Sequence, residues 1–300
     1  MTVNKQTIEE AFKTLQDSIC ESLSSIDGNS FEEDKWERPG GGGGRTRVLS
    51  GNIIEKGGVN FSAVEGSTPQ KILDDLKLEK SEFYATGISI VLHPENPNIP
   101  IIHMNIRYFE MSNGTWWFGG GIDLTPHFVV KEDAHFFHLQ LKKTCDKFGP
   151  TLYADYKKWA DDYFYIPHRK ETRGIGGIFF DRLNDKNTKM TKTDLFDFVL
   201  AIGKTFTPTY INLIKRNQEK STSKEQKEWQ YLRRGRYAEF NLVYDKGTKF
   251  GLETDGRIES ILMSMPPSAN WEYNHQSTQI EIQTLNLLKK DIDWIASYKP

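Results

Sequence analysis

Cysteine is almost missing from this chain: its 300 residues hold two, Cys20 and Cys145. They lie far from any CxxC spacing, which excludes a zinc knuckle and a disulfide framework and fits a reducing compartment. Long hydrophobic runs are missing as well. No 18 consecutive apolar residues occur, and the opening MTVNKQTIEEAF has no apolar segment of the kind a secretory leader needs. Neither a membrane span nor export is expected, and the expected location is cytoplasmic. Charge of one sign is lacking, since 39 Lys and Arg face 41 Asp and Glu for a formal net charge of -2. Bulk charge therefore predicts no nucleic-acid and no membrane partner, and an anionic ligand would have to be met by local arginines. The GxSxG and HExxH signatures do not occur, which leaves hydrolase and metalloprotease chemistry without support.

What is present suits a sizeable core and a large apolar pocket: hydrophobic residues make up 37% and aromatics 12%. Residues 8–23 place Ile8, Phe12, Leu15, Ile19 and Leu23 at helical spacing, which predicts an amphipathic helix. Trp36-Glu37-Arg38-Pro39 then leads into five glycines and Arg45-Thr46-Arg47. The run lacks the Lys-Ser/Thr of a phosphate loop and no strand signal precedes it, so residues 30–47 are expected to form a mobile glycine-rich loop that folds over an anionic ligand. Residues 48–64 read as two short strands about Lys56-Gly57-Gly58.

Farther along, a helix beginning near Glu132 carries Ala134, His138, Leu141 and Cys145 on one stripe, so His138 faces inward; another helix covers residues 150–163. An inward histidine is more often a hydrogen-bonded core residue than a ligand. Residues 165–181 deliver His168, Arg169 and Arg173 and then a glycine-rich strand ending in Asp181. Thr191-x-x-Asp194 opens a helix by a capping box, with an interruption or kink at Pro208. Residues 224–236 form a charged helix with a solvated face, residues 237–244, 248–252 and 258–265 read as three antiparallel strands, and residues 278–296 as a final helix. No linker or repeat divides residues 1–300, so the expected fold is a single α+β domain, a large antiparallel β-sheet flanked by helices on both faces.

The densest pattern is residues 86–125. A period of two puts His103, Asn105, Arg107 and Phe109 on one face of a strand, with Ile102, Met104, Ile106 and Tyr108 on the other. Ser89 and His93 face together on the preceding strand. Asn113-Gly114 predicts a two-residue type I′ turn, which would set Met111 opposite Trp116, Phe109 opposite Phe118 and Arg107 opposite Gly120. A guanidinium would then stand over Gly119, Gly120 and Gly121, where no side chain fills the space. Several arginines beside glycines point to a multiply anionic substrate, because guanidinium grips carboxylate through two parallel hydrogen bonds.

The segments WERPGGGGGRTRVLSGNIIEKGGVNFSAVEG, ISIVLHPENPNIPIIHMNIRYFE, WWFGGGIDLTP, YFYIPHRKETRGIGGIFFD, RYAEFNLVYDKGTKFGLETDGRIESILMSMPP and WEY resemble, in order, those of the oxygen-dependent coproporphyrinogen III oxidases. The resemblance runs from Trp36 to Tyr273 and departs at Arg182, where the family commonly has a second aspartate. It implies oxidative decarboxylation of two propionates of coproporphyrinogen III to vinyl groups, giving protoporphyrinogen IX for haem. It implies a tetrapyrrole substrate, molecular oxygen as co-substrate, no organic cofactor and a homodimer formed through strands at 237–272. By the same resemblance Ser89, Asn105, Ile106, Arg107, Asp255, Gly256 and Arg257 bind substrate and His103 is the proton donor; independently of it, Asp181 is a second candidate for moving the proton. His93, His103, His138 and His168 match divalent-metal ligands of bacterial members, whereas eukaryotic members are metal-free. The rival classes are a metal-dependent oxygenase of another anionic aromatic and a tetrapyrrole carrier without activity.

Overall fold

The apolar stripe of the first helix decides which side of the sheet becomes the core. In the computed structural model, which describes residues 3–68, 73, 81–253 and 256–298, helix α1 (Lys5–Asp27) buries Ile8, Phe12, Leu15, Ile19 and Leu23 as their spacing predicts. These side chains meet Ile88, Ile90, Ile102, Met104, Ile106, Tyr108, Phe118 and Ile122 from the sheet in one continuous cluster.

The sheet has seven strands in the order β1-β2-β3-β4-β5-β6-β9: β1 (Glu32–Glu37), β2 (Gly42–Leu49), β3 (Ile54–Ser67), β4 (Glu82–Pro94), β5 (Ile101–Met111), β6 (Trp116–Thr125) and β9 (Gly177–Leu183). Every pairing is antiparallel. Strands β7 (Tyr165–Ile166) and β8 (Glu171–Thr172) pair separately. Helices α2 (Lys131–Cys145), α3 (Leu152–Tyr163) and α4 (Lys192–Asn217) pack on the core side or the β9 edge. Helices α5 (Lys224–Val243), α6 (Lys246–Glu253), α7 (Ile258–Leu262) and α8 (Gln279–Leu287) complete the chain. The α+β expectation is met, and among the described residues no helix is long and apolar enough to cross a membrane.

Four local expectations fail. Most of the glycine run is not a loop: Gly40 and Gly41 make the turn between β1 and β2, but Gly42, Gly43 and Gly44 belong to β2, hydrogen-bonded between β1 and β3. Residues without side chains give no alternation to read, yet they ladder as well as any other. Lys56-Gly57-Gly58 is not a turn but the interior of β3; the chain reverses at residues 50–53, where the Asp27 carboxylate accepts the amides of Asn52, Ile53 and Ile54. The expected strands at 237–272 are helical, in the end of α5, in α6 and in α7. Aromatic and branched residues favour strands, but Tyr237, Ala238, Phe240 and Asn241 are buried at helical spacing, and that burial overrides propensity. Helix α5 also buries Trp229, Leu232, Arg233 and Arg234 rather than presenting only a solvated face.

The capping box forms, with the Asp194 amide donating to Thr191 Oγ1 at 3.2 Å and the Thr191 amide to Asp194 Oδ2 at 2.9 Å. Helix α4 then continues through Pro208. The last helix ends at Leu287, short of the expected 296.

Candidate active site

Directly opposed residues of an antiparallel pair share a face, so the ladder registers place side chains in rows across the sheet. One row reads Asp34, Thr46, Asn60, Ser89, Asn105, Gly121, Phe179. Its neighbour reads Trp36, Gly44, Ser62, Gly87, Arg107, Gly119. A third carries Val91, His103, Asp123 and Gly177. The second row is a trough. From Trp36 to Arg107 it spans four strand spacings or about 19 Å; the Trp36 ring folds over Gly44, 2.3 Å from where a Cβ would sit, so the floor between that ring and the Arg107 guanidinium is Ser62 and Gly87.

The expected register is off by one residue. Arg107 opposes Gly119, Phe109 opposes Trp117 and Glu110 opposes Trp116. The Met111 amide donates to the Thr115 carbonyl and Gly114 takes a φ of 85°, so the hairpin closes by a turn with a following left-handed glycine rather than by a two-residue turn. Parity survives the slip: His103, Asn105, Arg107 and Ser89 share the half-open face. Ile106 does not. Its side chain is buried in the core, so it can offer a ligand nothing but backbone.

Arg107 Nη1 donates to Asn105 Oδ1 at 2.7 Å and Nη2 to Asp181 Oδ1 at 2.8 Å. A bulge aims Asp181. Phe118 opposes Leu183 and Gly120 opposes Phe180, which leaves Asp181 and Arg182 facing Gly119 alone, with Arg182 at a φ of 53°. The ion pair lies flat across Gly119, where a Cβ would sit 2.5 Å from Asp181 Oδ1 and 2.9 Å from Arg107 Nε.

At the far end, Arg257 pairs with Asp34, donates to Ser260 Oγ at 3.0 Å and lies 5.8 Å from the Trp36 ring centroid. Ser260 in turn meets Thr46 Oγ1 at 3.1 Å, and its carbonyl accepts from Asn60 at 3.0 Å, which fixes α7 on this face. Gly256 is adjacent, and its amide donates to the Gly251 carbonyl. Asp255 lies outside the described residues.

His103 has a partner that sequence reasoning missed. Its Nδ1 lies 2.7 Å from Asp123 Oδ1, and both oxygens of that carboxylate accept from Arg173 Nη2 at 2.8 Å. Burial pushes the Asp123 carboxyl up, but the charge of Arg173 and the bond to His103 outweigh it and hold it below the usual range. An ionised carboxylate only accepts, so the imidazole is the donor at Nδ1 and Nε2 is its remaining proton site. Asp123 two residues beyond a glycine run was the available signal, legible only once β5 and β6 were in register. On the β9 side Phe179 stacks on Tyr163 at 4.1 Å between ring centroids, giving the trough an aromatic wall.

The sequence model of coproporphyrinogen III oxidase matches residues 7–294. The chain belongs to the coproporphyrinogen III oxidase family. It is 48% identical over 285 residues to coproporphyrinogen-III oxidase 1, chloroplastic, of Arabidopsis thaliana, covering 89% of this chain and 73% of that one. It is 46% identical over 309 residues to the mitochondrial oxygen-dependent coproporphyrinogen-III oxidase of Homo sapiens, covering 97% and 67%. To the oxygen-dependent coproporphyrinogen-III oxidase of Prochlorococcus marinus it is 46% identical over 298 residues, covering 91% and 85%.

The four histidines expected as metal ligands are not brought together in this member of the coproporphyrinogen III oxidase family. His138 is buried in the core between the Tyr153 hydroxyl at 2.9 Å and the Ile175 carbonyl at 3.0 Å. His93 meets the Ser264 carbonyl at 2.9 Å, and His168 meets the Tyr244 hydroxyl and Glu239. Burial holds His93 and His138 neutral, each pushed down to about 3. Among the described residues no three His, Cys, Asp or Glu side chains are grouped to hold a metal. The histidines, placed as they are, do not fit a shared ion.

A groove of about 950 Å³ lies at the sheet edge beside α1, lined by Lys5, Lys13, Arg45, Phe61 and Tyr84, and it shares Trp36 and Gly44 with the trough. Its cations are already met by Glu65, Glu9 and Asp17. None of Ser89, Asn105, Arg107 and Arg257 lines it.

Proposed function

We propose that this chain carries out the reaction named for its relatives, the oxygen-dependent oxidative decarboxylation of coproporphyrinogen III to protoporphyrinogen IX in haem synthesis. The observation that supports this most is the trough itself, about 19 Å from Trp36 to Arg107, floored by Ser62 and Gly87 beyond the Trp36 ring and with an arginine at each end. A macrocycle that bears four carboxylates needs cations at its rim and flat, empty space beneath it.

Arg107 and Arg257 hold propionates, Ser89 and Asn105 bind from the floor, and the backbone at Ile106 and at Asp255-Gly256 completes the contacts. His103 moves the proton at the reacting pyrrole or propionate, held by Asp123 with Nε2 toward the ligand. Asp181, the other candidate for that step, is tied to Arg107, four residues along β5 from His103 and so about 13 Å away along the strand. Each of the two reacting propionates loses its carboxylate as carbon dioxide and one hydrogen of the adjacent side-chain carbons as a proton, which leaves a vinyl group. The two electrons set free pass by way of the electron-rich macrocycle to molecular oxygen, which takes up two protons and is reduced to hydrogen peroxide, so no organic cofactor takes part.

The chain acts as one domain and as a homodimer. Exposed Leu242, Val243, Ile258 and Trp271, all between residues 237 and 272, supply an apolar surface for that association. The reading of a cytoplasmic location rests on Cys20 and Cys145, both free and buried, which need no oxidising compartment. An aerobic assay with coproporphyrinogen III tests the reading. Vinyl product, with KM raised or turnover abolished in Arg257→Ala, supports it, and bound but unaltered substrate would make the chain a carrier.

A further inference from the structure

Both arginines assigned to propionates are already holding carboxylates of the protein itself. Arg107 is paired with Asp181 and Arg257 with Asp34, at opposite ends of the trough. Neither pair is sealed in the core. Arg107 and Asp181 are 37% and 32% exposed, Arg257 and Asp34 29% and 53%. Asp34 is contributed by the edge strand β1 and Asp181 by a bulge in the opposite edge strand β9, so the two acids flank the face from its two sides.

We propose that Asp34 and Asp181 are place-holding carboxylates: each engages the guanidinium edge that a substrate propionate takes over. This deepens the function proposed above and rests on it. A bare arginine at each end would bind any passing anion. With its own acid in place, each arginine stays oriented, and a ligand gains only by the difference between its carboxylate and the aspartate's. Exchange of one exposed Arg–carboxylate pair for another costs little, because neither pair is held by deep desolvation. A molecule that brings one carboxylate displaces one aspartate and meets the other. A ring with carboxylates spaced to reach both arginines displaces both, so the pair of acids selects for a rim that is anionic at opposite sides.

The test is a binding measurement with coproporphyrin III, the oxidised fluorescent macrocycle, which carries the four carboxylates and is not turned over. Asp34→Asn and Asp181→Asn keep the size of each side chain and remove its charge. Each should tighten Kd roughly 2- to 5-fold, the range an exposed ion pair allows. The double variant should multiply the two effects, as distant sites do. In an Arg107→Ala background, Asp181→Asn should change nothing, because there is no arginine left to release.

Unchanged or weakened binding in both Asn variants would overturn the proposal. So would equal tightening in the Arg107→Ala background, which would mark a bulk-charge effect. Arg107→Ala and Arg257→Ala should each weaken binding on their own, by about 10-fold or more. If they do not, the assignment of the trough itself falls; if they do while the Asn variants are inert, only the place-holding role is lost.

Discussion

His103 Nδ1 sits 2.7 Å from Asp123 Oδ1, and the buried Arg173 grips the same carboxylate from behind at 2.8 Å while its Nη1 donates to Asn241 at 2.6 Å. The histidine that faces the trough is thus anchored through a charge pair that is almost wholly out of solvent, Asp123 being 1% and Arg173 2% exposed. Asp123→Asn replaces one of the two acceptor oxygens with a donor, so that His103 and Arg173 compete for the one that remains, and leaves Arg173 without its counter-charge. We expect kcat to fall by at least about 10-fold with a smaller change in KM, and unfolding stability to drop by about 3–5 kcal/mol. Steady-state kinetics together with denaturant titration check both, and full kcat in a folded Asp123→Asn would end the positioning role.

The two glycines Gly119 and Gly174 separate floor from frame. A Cβ on Gly119 meets the ends of two flexible side chains, Asp181 and Arg107, whereas one on Gly174 would lie 2.2 Å from the Leu124 carbonyl and 2.7 Å from Thr125 Cα. Gly119→Ala should therefore fold normally and raise KM several-fold by displacing the Arg107 head. Gly174→Ala should lose stability, on the order of 1–3 kcal/mol, because backbone must move. Melting temperatures and KM for the pair decide the matter; a Gly119→Ala protein with unaltered KM would show that the trough is not where substrate lies.

Glu239 ties the β7–β8 turn to α5 and to Trp271. It accepts from Arg169 at 2.6 and 2.9 Å, from His168 at 2.9 Å and from Trp271 at 2.8 Å. Burial works to raise its carboxyl, but these hydrogen bonds outweigh it and bring it from 4.5 down to about 2. A depressed carboxyl adds stability that is present above its unfolded value and lost as pH falls through the folded one. The stability gap between wild type and Glu239→Gln should therefore be full above pH 4.5 and close progressively toward about pH 2. Urea midpoints across that range measure it, and a gap that stays constant in acid would refute the assignment.

Alternation made the middle of the sheet legible. His103, Asn105 and Arg107 face one way because Ile102, Met104 and Ile106 must face the core, and a period of two survives even a register slip of one strand against another. What alternation cannot give is the partner across a ladder. The rows that join Asp34 to Asn60 and Ser89, or Trp36 to Arg107, depend on β1 and β2, whose glycines carry no pattern. Asp123 was hidden for the same reason, since its meeting with His103 is set by the turn at Gly114 rather than by either strand. The helices at 237–262 were misread because Tyr, Phe and Ile signal burial before they signal a shape, and only the packing of Tyr237 against Val91 and Ile101 shows which shape buries them.

The histidines make the sharpest prediction about metal. A carbonyl oxygen only accepts, so His138 donates through Nε2 to Ile175 and has its Nδ1 taken up by Tyr153; His93 likewise donates through Nε2 to Ser264. His168 faces Glu239 and Tyr244, and His103 is committed at Nδ1 to Asp123. To ligate one ion, His138 and His168, whose two ring nitrogens are both engaged, would have to leave hydrogen bonds on α2 and the β7–β8 turn, the first of them from a fully buried site. Turnover of coproporphyrinogen by enzyme purified in chelator should therefore equal that of untreated enzyme, and His138→Gln should lower the melting temperature. Activity lost in chelator and restored by a single divalent metal would mean that these side chains rearrange, and the site as described would have to be redrawn around the ion.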